Sequence, residues 1–132
     1  PHLLNTFSDC IGRAIPEGEL LLRDLDTKNK ITDPYVAGEL CYRGPNVMLG
    51  YASCVRDLTL NERVSELRTG DIAEQLPNGL FRIVGRLSRM IKIQGQRLQL
   101  DDIEEILCKF NVSSCCCGSD DLLIVSYVGG DD

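Results

Sequence analysis

Residues 67–105 (LRTGDIAEQLPNGLFRIVGRLSRMIKIQGQRLQLDDIEE) constrain the fold more than any other part of the chain. Two turn signals sit inside this stretch, each flanked by strand-forming residues. Pro77-Asn78-Gly79 lies between IAEQL and LFRIV. Proline presets φ and Asn-Gly accepts positive φ, so a hairpin is expected there. Gln94-Gly95 lies between Ile91-Lys92-Ile93 and Gln96-Arg97-Leu98-Gln99-Leu100. Ile91 and Ile93 fall on one face of a strand, Lys92 and Gln94 on the other. Beyond Leu100 the period lengthens. Leu100, Ile103, Leu107 and Phe110 are spaced as one helical face. Asp101 reads as the N-cap with Glu104 reaching back to it, and Asn111 reads as the stop. Residues 112–117 and 122–128 read as two further strands around Gly118-Ser119-Asp120-Asp121, with an unstructured end at 129–132.

Upstream the signals are shorter. Gly12-Arg13 and Pro16-Glu17-Gly18 are turn chemistry, followed by a strand over Glu19-Leu20-Leu21-Leu22-Arg23. Residues 26–34 are polar and turn-rich and read as a surface loop. Residues 36–43 read as a strand stopped by Gly44-Pro45-Asn46, residues 51–66 as a short helix or a loop, and Thr69-Gly70-Asp71 as a turn.

With 132 residues the chain suffices for one modest domain, against a usual ~100–200 residues per domain. Its net charge of −6 argues against a non-specific nucleic-acid surface. The opening PHLLNTFSDC has neither a basic region nor an apolar core and does not read as a signal peptide. No apolar run approaches the ~20 residues needed to span a bilayer. The seven cysteines are odd in number and three are consecutive, which fits a reduced, cytoplasmic setting better than a disulfide framework. Cys115-Cys116-Cys117 does not suit zinc, because adjacent strand residues point to opposite faces and no C-x-x-C pair exists. The three are expected to act as small buried hydrophobes.

RTGD, then Gly85-Arg86, then IKIQGQRLQLDDIE resembles the late core motifs of the adenylate-forming enzymes: acyl-CoA synthetases, peptide-synthetase adenylation domains and beetle luciferases. Upstream, GELCYRGPNVMLGY (38–51) resembles the preceding motif of that superfamily, and Arg56-Asp57-Leu58-Thr59 its RPDLT segment without the proline. The resemblance implies an α+β fold. Residues 1–86 would be the β-rich, distorted barrel-like subdomain that closes the large adenylating domain. Residues 87–132 would begin a small mobile lid domain of order β-β-α-β-β.

The same resemblance implies roles for single residues. Asp71 would accept from the two vicinal hydroxyls of an adenosine ribose; its plain alternative is an Asx-type turn. Arg86 would donate to ribose and phosphate; its alternative is a surface arginine ending a strand. Ile83 would pack near the base or, equally, in the core. Ser88 stands at the hinge, where relatives carry Asp or Lys. Gly95 would let a pantetheine chain approach the second hairpin, or would be an ordinary hairpin glycine. Lys92 and Arg97 would face solvent or the phosphates of the coenzyme. Gln99 and Asp102 stand where relatives often carry Glu.

The implied activity is that of an AMP-forming acid–thiol ligase. A carboxylic acid would be activated by ATP, with Mg2+, to an acyl-adenylate, and the acyl group would pass to coenzyme A or to the phosphopantetheine of a carrier protein. The family's Ser/Thr/Gly-rich phosphate loop and its later Gly-Lys motif do not occur in these residues, so the chain alone is expected not to catalyse adenylation and to be a piece of such an enzyme. Two other readings stand beside it: a peptide-synthetase-type adenylation domain, and a non-catalytic β-rich module that binds a nucleotide or a partner. Residues 87–132 are few for an independent core, so self-association is a further expectation.

Overall fold

The computed structural model describes residues 9–48, 50, 53–56 and 64–128. Most of the stretch 51–66, and the end at 129–132, lie outside the described residues. The chain divides into two compact units, residues 1–84 and 85–132.

The first unit is built on a six-stranded sheet. Its strands are β1 (Cys10–Gly12), β2 (Glu19–Arg23), β3 (Lys30–Ile31), β4 (Gly38–Arg43), β5 (Leu67–Gln75) and β6 (Phe81–Arg86). Their order is β1-β6-β5-β4-β2-β3. The sheet is open, with β1 and β3 as its edges, which corrects the barrel-like expectation. The physical reason lies in β3. Two residues offer too few backbone groups to bridge to β1 and close a ring. This strand also interrupts the stretch expected to be loop only, because Ile31 and Lys30 pair with Leu22 and Arg23.

Strands β2 and β4 are buried on both faces along their middles. Leu21, Leu22, Leu40 and Cys41 are all buried, which is why their sequences do not alternate as a half-exposed strand would. One face carries a core of Leu22, Leu40, Ala73 and Phe81, with Leu20, Ile31 and Ile83 packed against it. The β5–β6 connection follows its turn residues. The N–H of Gly79 donates to the Leu76 carbonyl and that of Leu76 to the Leu80 carbonyl, both at 2.8 Å. Gly79 takes the left-handed conformation, with φ of 80°. At the other end of the sheet Glu66 receives two arginines, Arg23 at 2.7 Å and Arg43 at 2.7 Å. Hydrogen bonds from Arg23, then Arg43, hold the Glu66 carboxyl down at about 2.

The second unit runs through a 3-10 turn (Leu87–Arg89), β7 (Met90–Ile93), β8 (Gln96–Gln99), α1 (Leu100–Lys109), β9 (Ser114–Ser119) and β10 (Leu122–Tyr127). Strands β7–β8 and β9–β10 form separate two-stranded sheets. The β-β-α-β-β order expected from the resemblance is present. Ile91, Leu100 and Cys116 form its core, joined by Ile93, Leu98, Ile103 and Leu123.

Three local expectations are corrected here. Helix α1 starts at Leu100, so its N-cap is Gln99 and no side chain caps it. The Asp101–Glu104 capping pair therefore does not form. Both carboxylates go instead to Arg89, at 2.8 Å each, in charge-assisted bonds, and Glu104 also accepts the Cys116 N–H at 2.6 Å. Phe110 does not continue the helical face; it is the C-cap and is 75% exposed. Of the three consecutive cysteines only Cys116 is buried, while Cys115 and Cys117 are exposed on the other face of β9. The expected helix stop does hold. Asn111 is left-handed, with φ of 59°. Its N–H reaches the Cys108 carbonyl at 2.9 Å, and that of Val112 reaches Leu107 at 3.1 Å, a Schellman end.

Candidate functional site

Thr69-Gly70-Asp71 is not a turn but a bulge inside β5. On one side of it Glu39 pairs with Ile72, and on the other Cys41 pairs with Arg68. Three residues of β5 thus stand opposite Leu40 alone. Gly70 absorbs the excess with a φ of 74°, a conformation that costs glycine little and other residues more.

The bulge is fastened from both strands. The Thr69 hydroxyl donates to the Leu40 carbonyl at 2.9 Å and accepts from the Asp71 N–H at 3.1 Å. The Arg68 guanidinium meets the Glu39 carboxylate at 2.9 Å. Glu39 is only 3% exposed, so this acid needs a cation to remain where it is. Asp71 itself is half-buried, directly before the buried pair Ile72 and Ala73. A Cβ placed on Gly70 would touch nothing within 4 Å, while Oδ1 of Asp71 is buried.

Ile83 lies on β6, the strand next to β5, half-buried over the core of the first unit. Arg86, the last residue of β6, is exposed and precedes the 3-10 turn with extended backbone (φ −121°, ψ 139°). Ser88 is the exposed middle residue of that turn, which the Met90 N–H closes onto the Leu87 carbonyl. Gly85 is glycine for a reason of space: a Cβ there would come within 2.5 Å of the Gln99 side-chain amide.

Gly95 occupies the β7–β8 turn. It and Gln94 are both left-handed, with φ of 82° and 49°, as a two-residue hairpin turn requires. Gly95 is exposed, and a Cβ on it would meet nothing within 4 Å. Its backbone can therefore be approached closely, which fits a narrow pantetheine-like chain. Lys92 and Arg97 face each other across this hairpin.

Sequence reading assigned no role to Arg68, Glu39 or Arg89. An acid inside the apolar run Gly38–Cys41 was the available signal for the first pair, since a buried carboxylate needs a partner. Arg89 bonds Asp101 and Glu104, and it also donates to the Cys116 carbonyl at 2.9 Å. No sequence spacing announces a contact over that distance. Among the described residues no group of three or more His, Cys, Asp or Glu side chains is placed to hold a metal ion. No helix among them is long and apolar enough to cross a membrane.

No protein-family profile matches the chain. Curated proteins do. Nonribosomal peptide synthetase 7 of Aspergillus fumigatus is 35% identical over 112 residues, covering 80% of this chain and 5% of that protein. The long-chain-fatty-acid–CoA ligase of Salmonella typhimurium is 38% identical over 109 residues, covering 81% of this chain and 19% of the ligase. The chain therefore spans a fifth or less of the length of these relatives. Among solved structures, the unliganded O-succinylbenzoate coenzyme A synthetase of Bacillus subtilis superposes with a TM-score of 0.67 at 19% identity, over 100% of this chain and 30% of that one. At that identity the likeness concerns the fold.

Proposed function

Because the chain is a homologue of the C-terminal portion of the adenylate-forming ligases, we propose that it serves an AMP-forming acid–thiol ligase. It would supply the ribose-binding carboxylate and the first part of the lid that takes part in thioester formation. In this reading residues 1–86 complete the adenylating domain and residues 87–132 open the lid.

The observation that carries the proposal is the fastened bulge at Thr69-Gly70-Asp71. A carboxylate has two oxygens in one plane and can accept from two neighbouring hydroxyls. Each such charge-assisted bond contributes roughly 1.5–3 kcal/mol, provided the backbone beneath it does not have to be ordered on binding. The Thr69–Leu40 and Arg68–Glu39 contacts supply that order beforehand. Arg86, with the planar fork of donors of a guanidinium, donates to ribose and phosphate oxygens, and Ile83 lies beside the base. ATP supplies the adenylyl group: the carboxylate oxygen bonds the α-phosphorus, pyrophosphate leaves, and AMP leaves when the thiol takes the acyl group. Gly95 leaves room for the thiol-bearing chain of coenzyme A or of a carrier protein, and Ser88 lies where the backbone turns between the two half-reactions. Magnesium would be supplied with the part of the site that lies outside these residues.

The acceptor class stays double because relatives of both kinds match at similar identity, one a CoA ligase and one a peptide synthetase. The test is ATP–pyrophosphate exchange. The isolated chain should show none, and supplying the large N-terminal portion together with the later Gly-Lys segment should produce it. In the full-length protein Asp71→Ala should weaken ATP use about tenfold or more, the effect of one lost charged hydrogen bond. Unchanged kinetics would remove Asp71 from the site. If the complemented chain shows no exchange, the non-catalytic β-rich module becomes the better reading.

A further inference from the structure

The β7–β8 hairpin is not held by its own two strands alone. Along the outer edge of β7, three backbone groups are taken up by the turn between β9 and β10. The Lys92 N–H donates to Asp120 Oδ1 at 3.2 Å, the Asp121 N–H donates to the Lys92 carbonyl at 2.8 Å, and the Gln94 N–H donates to Asp121 Oδ1 at 2.9 Å. The last of these bonds falls on the residue before Gly95. Gln94 is left-handed, at φ 49°, although glutamine has no short side chain to stabilise that conformation locally as Asn or Asp would. Asp121 supplies from the neighbouring turn what Gln94 lacks. It is itself left-handed, at φ 63°, where an aspartate is tolerated.

We infer that Asp121 is a positioning residue for the Gly95 turn, with Asp120 as its second fastening point. The inference rests on the reading that Gly95 borders the path of the acceptor thiol. Asp121 touches neither thiol nor nucleotide. It holds Gln94 in the one conformation that keeps the open side of Gly95 toward an incoming chain, so its loss is felt in thioester formation and not in adenylation.

Asp121→Gly tests this without backbone strain, because glycine adopts φ 63° freely while removing the carboxylate. Asp121→Asn keeps both the acceptor oxygen and the left-handed tolerance. In the 132-residue chain, amide hydrogen exchange at Gln94 should quicken roughly tenfold in Asp121→Gly and stay near wild type in Asp121→Asn, with the Cys116 amide unchanged in both. In the full-length protein Asp121→Gly should slow thioester formation about tenfold, leave pyrophosphate exchange within about twofold, and be rescued by Asp121→Asn. Unchanged exchange at Gln94, or equal loss in both half-reactions, overturns the positioning role. Thioester formation at the wild-type rate in Asp121→Gly overturns it as well. A wild-type protein with no pyrophosphate exchange overturns the ligase reading instead, and the exchange rates at Gln94 still decide whether the fastening exists.

Discussion

Arg68 and Glu39 meet at 2.9 Å diagonally across the β5 bulge, with Arg68 half in solvent and Glu39 almost wholly out of it. The pair joins the register on one side of Thr69-Gly70-Asp71 to the register on the other. Removing the cation strands a buried carboxylate. Arg68→Ala should therefore destabilise the first unit by about 1–3 kcal/mol, seen as a lower urea midpoint with an unchanged slope. Arg68→Lys should recover part of this. A midpoint unmoved by Arg68→Ala would show that the bulge holds without the pair.

Glu66 makes stability depend on pH. Its folded value, about 2, lies below its ordinary value of 4.5, because Arg23 and Arg43 hold it ionised. A depressed carboxyl contributes stability that is complete above its unfolded pKa and lost as pH falls through the folded one. The thermal midpoint should fall between pH 4.5 and about 2, and the gap between wild type and Glu66→Gln should close across that window. A gap that stays constant down to pH 2 would rule out this linkage.

Gly38 stands where β4 leaves no space. A Cβ there would lie 2.5 Å from the Ile31 side chain and 2.7 Å from the Arg23 carbonyl oxygen. Backbone cannot yield as a side chain does, so Gly38→Ala should cost about 1–3 kcal/mol. Gly95→Ala meets no such atom; its cost is the left-handed φ alone. Denaturant midpoints of the two variants compare crowding with backbone strain directly.

Thiol labelling separates the cysteines by exposure. Cys54, Cys108, Cys115 and Cys117 should react quickly at pH 8, whereas Cys41 and Cys116 should resist until the chain unfolds. Burial, reinforced by Glu66 and Glu39, pushes the Cys41 thiol up to about 11, and burial also raises Cys116. Rapid labelling of Cys116 alongside Cys115 would contradict the packing of β9 against α1.

A backbone substitution tests the hinge. Ser88→Pro fixes φ at 88 and drives Leu87 away from helical backbone, which the 3-10 turn requires. Pyrophosphate exchange should stay within about twofold while thioester formation falls about tenfold or more. Equal losses in both half-reactions would remove Ser88 from the hinge.

What the sequence disclosed was local. Pro77-Asn78-Gly79 and Gln94-Gly95 announced their hairpins because each turn's conformation is decided by the residues within it. Asn111 announced the helix end for the same reason. The features that escaped are decided by partners far along the chain. Gly70 reads equally as turn or bulge until Leu40 is known to lie opposite. Asp101 and Glu104 have capping spacing, but Arg89 takes both. Phe110 keeps helical spacing one residue beyond the helix. Of the candidate site, Asp71 was found by motif, while the Thr69, Arg68 and Glu39 contacts that fix its backbone were not, since they depend on a strand register.

Arg89 has one more consequence. Tied to α1 through Asp101 and Glu104 and to β9 through Cys116, it fastens the root of the β7–β8 hairpin to the rest of its unit. From Met90 to Gly95 the hairpin then behaves as a stiff lever of ~16 Å, at ~3.3 Å per residue, so each ~10° of rotation at its root sweeps the tip by about 3 Å. Under the proposed hinge, a modest torsional step next to Ser88 would be geared up into a displacement as wide as an alkyl chain.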